Sequence, residues 1–363
     1  MSRQVLGTYL SGPAVRDNAF DTIRLLAAAS VILSHAFVLV EGRESAEPLY
    51  QLSDGQITVG RAAVAAFFVV SGLLISMSFE RSKSWFKFAM NRALRLLPGL
   101  WVCILLLVFL FGPLMTTLPL AQYFGSAETI GFFGNVAFLA RSHSIAGVFE
   151  GLPGGDAVNG SLWTLKYEVA SYVFGALLLC TGRFKVAVVA ACWMAAMIAA
   201  PFIGDPLEKG GLAYHGAWMV WLFRFYGAGM LLYVLRDHIP ISREAALACL
   251  ALVLLATFTP AYTEALALFG SYAIVAAAFL ASDWFKKLTH RGDLSYGVYI
   301  YAFPVQQALV PLSNETAIPW LTNTLLSLPI TFLLAGLSWR LVERPALALK
   351  NVFGGQKKAA PSG

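Results

Sequence analysis

The chain has 363 residues, 58% of them hydrophobic and only 13% charged, with a mean hydropathy of +0.69. An ordinary soluble domain is excluded, because covering its surface takes about a quarter of the residues as charges; an all-α polytopic transmembrane bundle is expected instead. The net charge of +6 does not call for nucleic acid, since the basic residues flank apolar runs as the positive-inside bias requires.

The first twenty residues carry no apolar core or cleavage site of a removable signal peptide. Runs of membrane-crossing length follow at 20–40, 57–79, 96–112, 161–181, 186–203, 217–235, 244–260, 265–281, 294–312 and 318–339. The run 130–140 is too short to cross and reads as a re-entrant or interfacial piece. With that piece not crossing, loop charge alternates along the chain. The 41–56 loop is acidic, with Glu41, Glu44, Glu47 and Asp54, and the 80–95 connection is basic, with Arg81, Lys83, Lys87, Arg92 and Arg95. Later basic connections (Arg183/Lys185, Arg236/Arg243 and Lys286/Lys287/Arg291) fall on the side of 80–95, as does the tail from Arg340. Ten spans with both termini cytoplasmic are therefore expected, forming one membrane domain over 1–363 with no fused soluble domain. The tail 353–363 is polar and small and reads as disordered. Four cysteines (Cys103, Cys180, Cys192, Cys249) lie in apolar runs and read as packing residues, with no spacing that suggests a metal site.

Ionisable groups inside such runs are costly and mark function by default. Arg24 and His35 share the first span, eleven residues apart, which returns to nearly the same helix face about 16 Å further along. Snorkelling would account for Arg24 but not for the deeper His35. The fourth span opens Asn159-Gly-Ser-Leu-Trp163-Thr-Leu-Lys-Tyr-Glu168, and counting inward from the outer surface puts Glu168 level with His35. An imidazole and a carboxylate at one depth suit a base–orienter pair. Lys166, one turn shallower, suits an interfacial anchor and a site residue equally well. Arg224 is a third membrane arginine, able to neutralise Glu168 or to contact substrate. Arg92 and Arg95 adjoin on one helix face at the cytoplasmic mouth, two planar forks suited to phosphate oxygens. Ser71-Gly72 is ordinarily a helix-packing pair, and Tyr296, Tyr299 and Tyr301 are ordinarily interfacial anchors.

Taken in order, these pieces resemble the acyltransferase-3 family of bacterial integral-membrane O-acyltransferases. The matching stretches are Phe20-Asp21-x-x-Arg24 with ten residues before His35, Phe67-Phe68-x-x-Ser71-Gly72, and Asn91-Arg92-x-x-Arg95-x-x-Pro98. Asn159-x-Ser161-Leu162-Trp163-x-Leu165-x-x-Glu168, Arg224-Phe225 with Gly229, Leu294-Ser295-Tyr296-x-x-Tyr299 and Glu343-Arg344-Pro345 complete the set. Gly160 is a departure, since the family often has a bulkier residue there. The resemblance implies an acyl-CoA donor, most simply acetyl-CoA, on the cytoplasmic side of a bacterial inner membrane. It implies an acceptor hydroxyl on a cell-surface or lipid-linked glycan, with no metal. On that reading Arg24, His35 and Glu168 are catalytic. Arg92, Arg95, Ser71, Tyr296 and Tyr299 hold the donor, and Trp163, Arg224 and Asn159 contact substrate. A second class stays open, a non-catalytic polytopic transporter or partner in surface-glycan export, because buried Arg, His and Glu also suit a substrate path. No repeat of the first half appears in the second, a pattern that transport through broken helices would favour.

Overall fold

A backbone in hydrocarbon must satisfy its own N–H and C=O groups, so apolar runs of this kind fold as helices. A computed structural model describes residues 4–350 apart from 12–14, 16, 83, 138–141, 205 and 291. Each expected span is matched by a helix: α1 Phe20–Glu41, α2 Val59–Ser82, α3 Trp85–Met115, α4 Leu165–Leu179, α5 Lys185–Ile203, α6 Gly211–Val234, α7 Arg243–Ala256, α8 Tyr262–Leu280, α9 Ser295–Ser313 and α10 Pro319–Ser338. The chain is a multi-pass membrane protein. Among the described residues β pairing is limited to two isolated bridges, Val5 with Pro240 and Ser144 with Ala157.

Among the described residues seven helices are long and apolar enough to cross a bilayer, and α4, α7 and α9 are not among them. With 15 and 14 residues, α4 and α7 reach only about 22 Å at 1.5 Å per residue. The 19 residues of α9 include Pro304, Pro311, Gln306 and Gln307. This polarity is tolerated because α9 is enclosed by α1 and α10. There the Gln306 amide donates to the Ile32 carbonyl at 2.8 Å and to Asn323 at 3.1 Å, and Asn323 donates back to the Gln306 carbonyl at 3.0 Å. At the periphery α5 exposes Met194, Ile198 and Phe202, a surface suited to lipid.

The core runs through α2 and α6, which pack closely on each other. Two glycines allow it. A Cβ on Gly72 would lie 2.0 Å from the Tyr226 carbonyl oxygen, and one on Gly229 would lie 2.1 Å from the Val69 carbonyl oxygen. Small residues bring membrane helices to backbone contact in this way.

Between α3 and α4 the short helix Ala127–Phe133 and the turn Gly134–Ala137 lean on the second half of α3, and near its middle the Trp101 indole donates to the Val136 carbonyl at 3.0 Å. The part of this piece that is described, 127–137, is too short to cross; 138–140 and the tail 353–363 lie outside the described residues. The chain then enters the bundle without being helical. Gln307 of α9 donates to the Gly155 and Ala157 carbonyls at 3.0 and 2.9 Å, and Asn159 donates to the Ile300 carbonyl at 2.8 Å. Non-helical backbone is tolerated at membrane depth only where protein surrounds it. The α-helical part of α4 is short because the first turn of the expected span is the 3-10 turn Gly160–Thr164.

Replacing Gly229 by Val should lower stability by about 3 kcal/mol or more, because overpacking here meets backbone that cannot swing aside. Gly336, whose added Cβ would meet nothing within 4 Å, should accept Ala with a gain of up to about 1 kcal/mol from helix propensity. Thermal unfolding of both variants in detergent checks the contrast.

Candidate active site

Two cavities lie end to end along α1, one at the level of Arg24, here called inner, and one at the level of His35, here called outer. The inner one, about 810 Å³, draws Arg24 from α1, Ser71 from α2, Arg92 and Arg95 from α3, Glu168 and Tyr172 from α4, and Tyr296 and Tyr299 from α9. Its charges are organised by Asp293, in the connection leading to α9. One Asp293 oxygen pairs with Arg24 at 3.0 Å and, more closely, with Arg95. The other accepts from the Ser295 N–H at 3.0 Å and from the Ser295 hydroxyl. Burial would raise this carboxyl, but Arg24, Arg95 and the Ser295 hydrogen bonds outweigh it and hold it well below the usual carboxylate range. Arg24 also pairs with Asp21.

Arg92 is less committed. Among the described residues its one side-chain hydrogen bond is a long 3.5 Å contact to Ser78, and its buried Nε, like that of Arg24, has no partner there. Lys350, just past the end of the last helix, is pushed down to about 8 by burial and by the nearby Arg92 and Arg95. A fourth basic group therefore stands close to the arginines. Glu168 accepts a hydrogen bond from Tyr172 and lies within electrostatic reach of Arg95, Arg24 and Arg92.

The outer cavity, about 830 Å³, holds His35, Arg61, His143, Trp163, Tyr214 and Trp218. The His35 ring stands edge-on to Phe303 at 5.2 Å, and its buried Nδ1 has no hydrogen-bond partner among the described residues. Trp163 and Trp218 lie 4.3 Å apart between ring centroids, Arg61 lies over Trp218 at 5.8 Å, and Arg61 pairs with Glu44 at 2.7 Å. His143 is held towards neutrality by burial and by Lys166, against an opposing backbone hydrogen bond at Asn159. Aromatic faces beside polar groups suit a ligand with both apolar faces and hydroxyls.

The sequence profile of an acyltransferase domain, Acyl_transf_3, matches residues 17–340. The chain belongs to the acyltransferase-3 family. An O-acetyl transferase from Shigella phage Sf6 is 31% identical over 340 residues, covering 91% of this chain and 96% of that protein. Nodulation protein 10 of Rhizobium leguminosarum bv. viciae is 29% identical over 368 residues, covering 92% and 94%. No solved structure matches the chain. The protein is accordingly an acyltransferase.

Within this acyltransferase, seven residues expected to matter (Arg24, Ser71, Arg92, Arg95, Glu168, Tyr296 and Tyr299) meet in one cavity. His35 and Trp163 meet in the other, where Tyr299 also contributes. The expected His35–Glu168 pair is not formed. Depth counted from Asn159 assumed a helix starting at the outer surface, whereas Asn159 is fully buried beside Ile300, so Glu168 comes level with Arg24. Tyr296, Tyr299 and Tyr301 are not interfacial anchors but buried: Tyr296 donates to the Leu96 carbonyl at 2.7 Å, and Tyr299 bonds Thr164 at 2.7 Å. Arg224 and Asn159 line neither cavity. Arg224 pairs with Glu264 at 3.0 Å, and Asn159 spends its amide on Ile300 and its oxygen on the Ser161 N–H. The glycine at 160 has a local reason, since a Cβ there would lie 2.6 Å from the Phe303 ring that backs His35.

Sequence reasoning missed Asp293, His143, Trp218 and Thr164. Asp293 had a signal, an acid two residues ahead of a helix that opens with Ser295. The others carry no local pattern. Asp293→Asn should destabilise the protein by about 3–5 kcal/mol at neutral pH by leaving two guanidiniums under-neutralised. A carboxyl with a depressed folded pKa contributes stability above its unfolded value and loses it as pH falls through the folded one. The gap between wild type and variant should therefore be full at pH 7 and narrow below about pH 4, read from thermal unfolding in detergent across pH.

Proposed function

We propose that this acyltransferase moves an acyl group, most simply acetyl, from cytoplasmic acyl-CoA to a hydroxyl of a cell-surface or lipid-linked glycan beyond the bacterial inner membrane. The observation that carries the reading is the stacking of the two cavities on α1. Arg24 opens into the inner cavity and His35 into the outer one, eleven residues and about 16 Å apart. An acyl-CoA has its phosphates and its thioester at opposite ends of an extended pantetheine arm of comparable length. The under-used Arg92, with Arg95 and Lys350 beside it, suits the phosphates. The thioester then reaches His35, which takes the proton of the acceptor hydroxyl as the acceptor oxygen attacks the acyl carbon. The C–S bond breaks, and the CoA thiolate leaves and is reprotonated. Arg24 stays with the donor. Glu168, bonded to Tyr172 among the arginines, balances charge in the donor cavity and does not orient the histidine.

The name of the phage relative supports an O-linked acetyl product, and the Trp163–Trp218 pair offers the apolar face a sugar ring stacks on. The transport reading loses its support, since the whole bundle lies within the acyltransferase match.

His35→Ala should lower acyl transfer by about 10²–10⁴-fold and leave donor affinity nearly unchanged. Arg92→Ala should weaken donor binding by roughly 10- to 150-fold, the loss of charge-assisted bonds. Isothermal titration with acetyl-CoA beside a transfer assay separates the two, and a His35→Ala enzyme that still transfers at the wild-type rate removes the imidazole from the mechanism. We further propose ten crossings with both termini cytoplasmic, the arrangement supported by the alternating loop charge. Reporter fusions should place Glu47, Gly154 and Glu315 outside and Lys87, Arg243 and Lys287 inside; a cytoplasmic Gly154 would overturn the arrangement.

A further inference from the structure

The two cavities share only two lining residues, Val64 of α2 and Tyr299 of α9. At that junction the Tyr299 hydroxyl bonds the Thr164 hydroxyl at 2.7 Å, and the Tyr299 ring stands edge-on to Phe67 at 5.8 Å. Thr164 ends the turn Gly160–Thr164. Its neighbour Trp163 lines the outer cavity and its other neighbour Leu165 the inner one, so the chain crosses from one cavity to the other at this residue. Both hydroxyls are buried, in residues 4% and 8% exposed, and each has the other as its side-chain partner.

We propose that Thr164 and Tyr299 form a partition that decides whether the activated acyl group meets the acceptor or water. The inference rests on the acyl-CoA reading above. With the partition closed, a thioester in the inner cavity is kept from His35 and from solvent in the outer cavity. A pantetheine arm carries two amides, each able to hydrogen-bond one of the hydroxyls, so passage exchanges one set of buried hydrogen bonds for another and leaves none unmade. An empty inner cavity leaves the partition shut, and an occupied one opens it only as far as the arm fills it. Without the partition, water reaches a waiting thioester. Its oxygen attacks the acyl carbon, the C–S bond breaks, and the products are the free carboxylic acid and the CoA thiol.

The experiment uses the full chain reconstituted with acetyl-CoA and no acceptor, with free CoA measured by chromatography. Tyr299→Phe and Thr164→Val each remove the bond and keep the bulk; each should raise acceptor-free CoA release by about 5-fold, the loss of one buried hydrogen bond. Tyr299→Ala removes the ring as well and should raise release by at least about 10-fold, with the ratio of transfer to hydrolysis falling in all three. A second arm needs no turnover. In a background with the four native cysteines replaced, Ser71→Cys places a thiol in the inner cavity, and a membrane-impermeant methanethiosulfonate is added outside intact spheroplasts. The thiol should react slowly when Thr164 and Tyr299 are present and at least about 5-fold faster when either hydroxyl is removed. Equal labelling rates in all backgrounds, or unchanged acceptor-free release in the two conservative variants, overturns the partition. A labelling difference with no acetyl-CoA binding or turnover would keep the partition and reject the donor assignment.

Discussion

The amide of Asn159, bonded to the main-chain carbonyl of Ile300, holds an irregular stretch of chain at a depth where irregular backbone is ordinarily forbidden. Its unpaired polar groups are met one by one, the Gly155 and Ala157 carbonyls by Gln307, the Ser161 N–H by Asn159 itself, and the Val158 N–H by the His143 carbonyl. Leaving any of them unmet in such surroundings costs about 1–3 kcal/mol. Everything after Asn159 inherits its position from this anchoring. Trp163 comes to the outer cavity, Thr164 to the junction and Glu168 to the arginines.

The charges around Asp293 follow a different logic. One buried carboxylate is shared by two guanidiniums, Asp21 adds a second on Arg24, and Glu168 lies within reach of all three arginines, so these acids offset much of the positive charge to which Arg92 and Lys350 contribute. Fully neutralised, such a cluster would have no use for an anion; wholly unneutralised, it would repel itself. Asp293 sets the compromise. It ties the start of α1 to the first half of α3 and to the start of α9 through Ser295, so the cavity lining and the helix packing are fixed by one side chain.

Much of this was legible in the sequence, and the parts that were not share a cause. Helix positions followed from apolar run length, since hydrocarbon permits little else. The arginines and His35 were legible because charge in such runs is costly. Glu168 was placed wrongly because depth was counted along a helix that starts later than its sequence suggests; the interruption comes from Gln307 and Ile300, some 140 residues further on. The anchor reading of Tyr299 and the pairing of Arg224 with Glu168 failed for a similar reason. A tyrosine near a span end and one buried against Thr164 look alike in sequence, and Arg224 finds Glu264 only once α6 and α8 are side by side. His143 and Trp218 become neighbours of His35 through folding alone.

The backbone contact of α2 and α6 at Gly72 and Gly229 has a mechanical consequence. Where two helices meet through side chains, rotamer changes let one slip past the other; where they meet main chain to main chain, nothing is left to rearrange. Helix α2 carries Val64 at the junction and Ser71 in the inner cavity, so this side of the passage behaves as a fixed rail. On the other side a turn of irregular chain, Gly160–Thr164, faces a proline-containing helix. The passage thus has one wall whose place is set by two missing side chains.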